Sequence, residues 1–173
     1  SIAVNVSIDG LHDVYEYIRG NGKFEEIEEN IEVFKSFPNV SRVVGAFTVQ
    51  SNNIMQIDKV IDYFINKLGI IFYSHRVTYP TALSAQVLPP ELKDKVVARL
   101  EEMKIEVLEY PMVKQHKLLE TVTLQQIQDN INFLQAKCMH DTHWQDCINF
   151  NHALDKTRSQ DFLAANPEFI PYV

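Results

Sequence analysis

Ala3-Val-Asn-Val-Ser-Ile-Asp-Gly10, followed by Tyr15-Glu-Tyr-Ile-Arg19-Gly20 and the amphipathic segment from Phe24 to Phe34, decides how the chain folds. It reads as a buried strand, a polar rim and a returning helix. A strand that ends in Ser7, Asp9 and Gly10 and then feeds a helix sets a hydroxyl and a carboxylate at its C-terminal end, where parallel α/β folds bind ligands. The functional site is therefore expected at that edge.

Working outward, residues 3–8, 42–49 and 70–77 are rich in Val, Ile, Phe or Tyr and read as strands buried on both faces. Between them Phe24, Ile27, Ile31 and Phe34, and then Ile54, Ile57, Ile61, Phe64 and Leu68, fall at spacings of three and four and predict two crossover helices. Asn52 or Asn53 is placed to cap the second, and Gly69 to end it. This βαβαβα order implies parallel strands in an open sheet or an arc of a barrel. A long rim loop, Tyr79 to Pro90, leads into a helix with Leu92, Val96, Leu100 and Met103 on one face. Thr123-Leu-Gln-Gln126 offers a capping box for a further helix carrying Leu124, Ile127, Ile131 and Leu134, so the remaining third is expected to be helical. Pro111 is the natural hinge, dividing an α/β part over 1–110 from a tail over 111–173.

The 173 residues are 46% hydrophobic and 23% charged, enough to bury one domain core. A net charge of −7 and a sequence pI of about 5.3, without a basic cluster, argue against nucleic acid as a partner. No apolar run approaches the roughly 20 residues that span a bilayer, so neither membrane insertion nor a leader is expected and the cytoplasm is the expected compartment. Two cysteines, Cys138 and Cys147, do not make a secreted disulfide framework. The chain opens at Ser1, directly on a strand, and three parallel strands would leave edges and apolar faces uncovered. It is thus expected to be the C-terminal part of a longer protein.

Val6-Ser-Ile-Asp-Gly10, Tyr17-Ile-Arg19-Gly20, and Phe24 with Asn30-Ile31 resemble the fourth strand and helix of radical SAM enzymes, most closely the branch extended by twitch or SPASM domains. Thr48-Val-Gln-Ser-Asn-Asn53 with Ile57 is similar to that family's fifth strand, and residues 70–77 to its sixth. In the tail, Leu154-Asp-Lys-Thr-Arg158, Phe162-Leu163 and Pro167-Glu168-Phe169 resemble the end of twitch-type members. The resemblance covers roughly residues 3 to 100. It implies an α/β fold made of three strand–helix units of a partial (β/α) TIM-like barrel with a helical C-terminal extension. It also implies two cofactors, S-adenosylmethionine and a 4Fe-4S cluster, and a small-molecule or peptide substrate, or a nucleotide-sugar. Ser7 and Arg19 would hold the carboxylate of S-adenosylmethionine, whose shape suits the planar guanidinium fork. Thr48, Gln50 and Asn53 would contact its ribose and methionine parts, and the backbone at Arg76 and Val77 its adenine. Asp9 could face either cofactor or substrate.

The family's three closely spaced cluster cysteines are not in this chain, so it alone should neither bind the cluster nor cleave the cofactor. The ligands would come from a missing N-terminal half. Two cysteines also fall short of an auxiliary cluster.

Plainer roles compete with these. Ser7 and Asp9 could only end a strand, Arg19 could be a solvated loop charge, and Asn52 and Asn53 could be helix caps. Cys138, His140, His143 and Cys147 are zinc-ligand types at a poor spacing, and read better as a buried cysteine and surface histidines. Nothing in the sequence sets a base beside either cysteine. A second function class is a non-catalytic half-barrel that pairs through its strand edge, for example as a homodimer. A nucleotide-binding α/β domain lacks its glycine fingerprint here.

Overall fold

The computed structural model describes residues 1–20 and 22–173. Strands β1 (Ile2–Ser7), β2 (Val40–Val49) and β3 (Ile71–Arg76) form one sheet in the order β1-β2-β3. Both pairings are parallel, with Ser7 beside Ala46 and Thr48 beside His75. Sequence neighbours are thus neighbours in space, and the sheet contains no reversal of strand order.

Helices α1 (His12–Arg19) and α2 (Phe24–Ser36) join β1 to β2. Between β2 and β3 the expected single helix is a 3-10 turn, then α3 (Ile57–Asp62), then a wider π turn ending at Lys67. Its stripe of Ile54, Ile57, Ile61, Phe64 and Leu68 is buried as the spacing predicts. Helix α4 (Pro90–Glu106) starts at its proline, where a missing N–H costs nothing. The tail is helical throughout: α5 (Pro111–Gln115), α6 (Lys117–Ala136), α7 (His140–Arg158) and α8 (Phe162–Ala165), then a 3-10 turn to Tyr172.

Three expectations need correction. The strands are covered on one face only. Val43, Phe47, Val49 and Phe72 are buried beneath helices, whereas Ala3, Asn5, Ser7, Arg42 and His75 on the other face are exposed. Val4 and Val6 alternate with Asn5 and Ser7, and that period of two is the mark of a half-covered strand. Thr123 does not begin a helix, because Leu119 extends the apolar stripe a turn earlier and α6 starts at Lys117. Thr123 lies 1% exposed inside it. Phe34, placed by its spacing on the buried stripe of α2, is 38% exposed and packs edge-on against Phe37.

The sheet and the π turn meet at Gly45. A Cβ there would stand 2.3 Å from Cε1 of Phe64, whose ring stacks on Phe72 at 5.5 Å. Glycine is what lets an aromatic layer lie directly on β2. No helix of the described residues is long and apolar enough to cross a membrane.

Candidate functional site at the C-terminal strand ends

β1 stops pairing at Ser7 because Gly10 turns the chain with a φ of +141°. A side chain at Gly10 would also meet Val14 Cγ1 at 2.7 Å, so the close approach of α1 to the strand end depends on this glycine. After Ser7, side chains replace the missing ladder. Ile8 N still donates to Ala46 O at 2.9 Å, and the next donor on β2, Thr48 N, is taken by Asp9 Oδ1 at 2.9 Å. Thr48 O accepts from Asn53 Nδ2 at 2.8 Å, and the same amide nitrogen reaches Asp9 O at 3.1 Å. Asn53 Oδ1 accepts from Gln50 N at 2.9 Å. Asn53 is fully buried. It precedes a 3-10 turn but its side chain does not cap it, so the helix-cap role foreseen for Asn52 and Asn53 is not the one they play.

Arg19 is the last residue of α1 rather than part of a loop. Its Nη2 donates to Ser7 Oγ at 2.8 Å and pairs with Asp9 Oδ2 at 2.6 Å. Ser7, Asp9, Arg19, Thr48, Gln50 and Asn53 therefore share one hydrogen-bonded group, with the Gln50 backbone as its member. Val77 joins it indirectly, its N–H donating to Val49 O at 2.9 Å and its carbonyl left free among the described residues. Asp9 has both oxygens engaged and is buried, so it acts as the brace that holds the Arg19 fork. Arg19 Nη1 and Nε carry no hydrogen bond among the described residues, and the side chain is 39% exposed. Each can donate a hydrogen bond to a carboxylate from solvent, one at a time, because Nη2, which both two-point faces of the guanidinium share, is taken by Ser7 and Asp9. Beside them, burial raises the pKa of the Tyr15 phenol, an effect the Arg19 charge opposes.

The open face of the sheet continues this edge. Ser7, Thr48 and His75 share it with Asn5, whose amide donates to the Tyr73 hydroxyl, and Tyr73 meets His75 edge-on at 5.3 Å. Lower on the same face Asn5, Arg42, Val44 and Tyr73 line a concavity of about 330 Å³.

The tail contributes what the sequence reading missed. Asn52 and Asn151 exchange amide hydrogen bonds at 2.8 and 3.2 Å, and the Tyr17 hydroxyl donates to Asn151 Oδ1 at 3.1 Å. Burial raises the Tyr17 pKa, with Asp155 adding to it. Arg158 Nη1 reaches Tyr17 O and Ile18 O, and Gln160 Nε2 donates to Glu16 O at 3.0 Å. Those carbonyls end α1, directly before Arg19. The signal in the sequence was Asn151 itself, a polar residue spaced one turn after Cys147 on the buried stripe of α7.

Cys147 is buried, its thiol 3.6 Å from Ser51 Oγ, and burial pushes its pKa up to about 11. Cys138 is exposed, His140 stacks on Trp144 and His143 faces Asp146. Among the described residues no three His, Cys, Asp or Glu side chains are grouped to hold a metal ion. Comparison of the chain with protein-family models, with curated proteins and with solved structures returns no match.

Proposed function

We propose that the chain is the S-adenosylmethionine-binding portion of a radical SAM enzyme, built as three strand–helix units of a partial (β/α) barrel with a helical extension. The observation that carries the reading is the Ser7–Arg19–Asp9 group at the C-terminal edge of consecutive parallel strands, with Arg19 Nη1 and Nε open to a carboxylate. The sheet supports it as well, since adjacent strands in chain order with one uncovered polar face are what an arc of a barrel presents to its interior. In this reading Arg19 and Ser7 bind the methionine carboxylate, Asp9 fixes the guanidinium, and Asn53 keeps β2 and the turn after it in register. Given one electron from a cluster held outside these residues, which would cleave its C–S bond to leave methionine, the bound cofactor would supply a deoxyadenosyl radical; the residues here orient the cofactor.

A 4Fe-4S cluster does not fit this chain. It needs accessible thiolates close together, and of the two cysteines one is exposed and the other is buried against Ser51. Its ligands would have to be supplied from outside these 173 residues.

The test is saturation-transfer NMR of the chain with S-adenosylmethionine. Weak, specific transfer to the methionine protons that Arg19→Ala abolishes and Arg19→Lys partly keeps is the expected result. No transfer, or transfer indifferent to both substitutions, rejects the assignment. A second reading, a module that pairs through its sheet, rests on the unpaired outer edges of β1 and β3 among the described residues. Light scattering on the same sample decides it: a dimer supports edge pairing and a monomer rejects it.

A further inference from the structure

A second cavity opens at the same edge, on the side of the tail. It measures about 130 Å³ and lies between Gln50 and Asn52 after β2, Leu83 in the rim loop, and Phe150, Leu154 and Arg158 of α7. Its polar wall is uneven. The Asn52 carboxamide is engaged by Asn151 and Ser51, its oxygen accepting twice and its nitrogen donating once. The Gln50 carboxamide, on a residue only 8% exposed, makes no hydrogen bond among the described residues although its backbone is pinned on both sides by Asn53. Its amide oxygen and nitrogen are reached by solvent, so both are available to a ligand that offers a donor or an acceptor.

Arg158 stands at the mouth and is the one ionised side chain on the wall. No carboxylate lies within salt-bridge distance of it among the described residues. Its Nη1 makes two long contacts of 3.3 Å to the carbonyls of Tyr17 and Ile18, leaving Nη2 and Nε free. Leu83, Phe150 and Leu154 supply an apolar side.

We infer that this cavity is a binding site for a small carboxylate that also carries an amide, with Arg158 taking the carboxylate and Gln50 the amide. A guanidinium fork prefers a planar two-oxygen anion, and a carboxamide pairs reciprocally with an amide. The site does not rest on the cofactor reading, because neither of its two binding groups belongs to the Ser7–Arg19 cluster through its side chain.

The probe is N-acetylglycine, titrated into the ¹⁵N-labelled whole chain and followed at the Gln50 side-chain amide and the Arg158 Nε–H. Both resonances should shift and saturate, the neutral N-acetylglycinamide should bind about tenfold more weakly, and Gln50→Leu should weaken the acid by a similar factor. Arg158→Gln removes the charge but also touches the end of α1. Gln50→Leu and the neutral probe therefore carry the decision if that variant unfolds. Unshifted side chains, equal binding of the neutral amide, or full affinity in Gln50→Leu would each overturn the assignment.

Discussion

Asn53→Ala tests whether a single buried carboxamide replaces the strand ladder. The side chain makes three bonds, to Asp9 O at 3.1 Å, Thr48 O at 2.8 Å and Gln50 N at 2.9 Å, and the residue is fully buried. Alanine removes all three partners at once and leaves buried backbone groups facing a void. At roughly 1–1.5 kcal/mol per bond the loss is about 3–4.5 kcal/mol, and desolvation of the orphaned groups makes this a lower bound. For a domain of this size the melting midpoint should fall by roughly 6–18 °C. Asn53→Asp is the sharper control: it keeps the acceptor for Gln50 N and turns the donor into an acceptor facing two carbonyls, so it should cost at least as much. Asn149→Ala, at an exposed position of α7, should move the midpoint little. Urea titration with matched thermal melts measures all three. A loss below about 1 kcal/mol in Asn53→Ala would refute the argument, since it would mean the strand ends satisfy themselves without Asn53.

Gly45→Ala should destabilise the chain by about 1–3 kcal/mol in urea unfolding, because its Cβ would press on the Phe64 ring at 2.3 Å; an unchanged or raised midpoint would contradict the packing. The Lys67 hydrogen bond lowers the Glu28 pKa below its ordinary 4.5, so Glu28 contributes stability above that value and loses it as pH falls through the depressed one. Glu28→Gln should therefore lower the melting midpoint at pH 7 and have less effect near pH 3, in melts at low salt; an equal gap at both pH values would remove the ion pair as its cause. Iodoacetamide at pH 8 should add one group to the folded chain, on exposed Cys138, because Cys147 is buried and almost wholly a thiol with its pKa raised to about 11; rapid double alkylation seen by intact mass would contradict this burial.

The sheet and its edge were legible because both rest on local signals. Apolar runs near residues 3–8, 42–49 and 70–77 became strands within two residues, and consecutive parallel strands necessarily bring Ser7, Thr48 and Val77 to one edge. What was illegible depends on partners far along the chain. An Asn after a strand and before a helical turn looks like a cap, and only the position of Asp9 more than forty residues earlier turns Asn53 into a ladder substitute. Thr123-x-x-Gln126 matches a capping box in isolation, but Gln126 instead accepts from Ser74 N and Oγ at 2.7 and 2.8 Å, a use no window around residue 123 reveals. The uncovered face was present in the alternation of β1 and was masked by the valines.

The placement of Arg19 shows why the tail belongs to the site. Its guanidinium is braced by Asp9, but its backbone continues α1, and the last carbonyls of α1 are held by Arg158 and Gln160 from the far end of the chain. Helix ends left without such partners fray within a turn. The orientation of the proposed ligand-binding fork is thus determined from two directions: by the end of β1, through a side chain ten residues before it, and by α7, which crosses the strand ends through the Asn52–Asn151 pair. The two bond sets meet at α1, where side chains from both ends of the molecule hold the turn that carries Arg19.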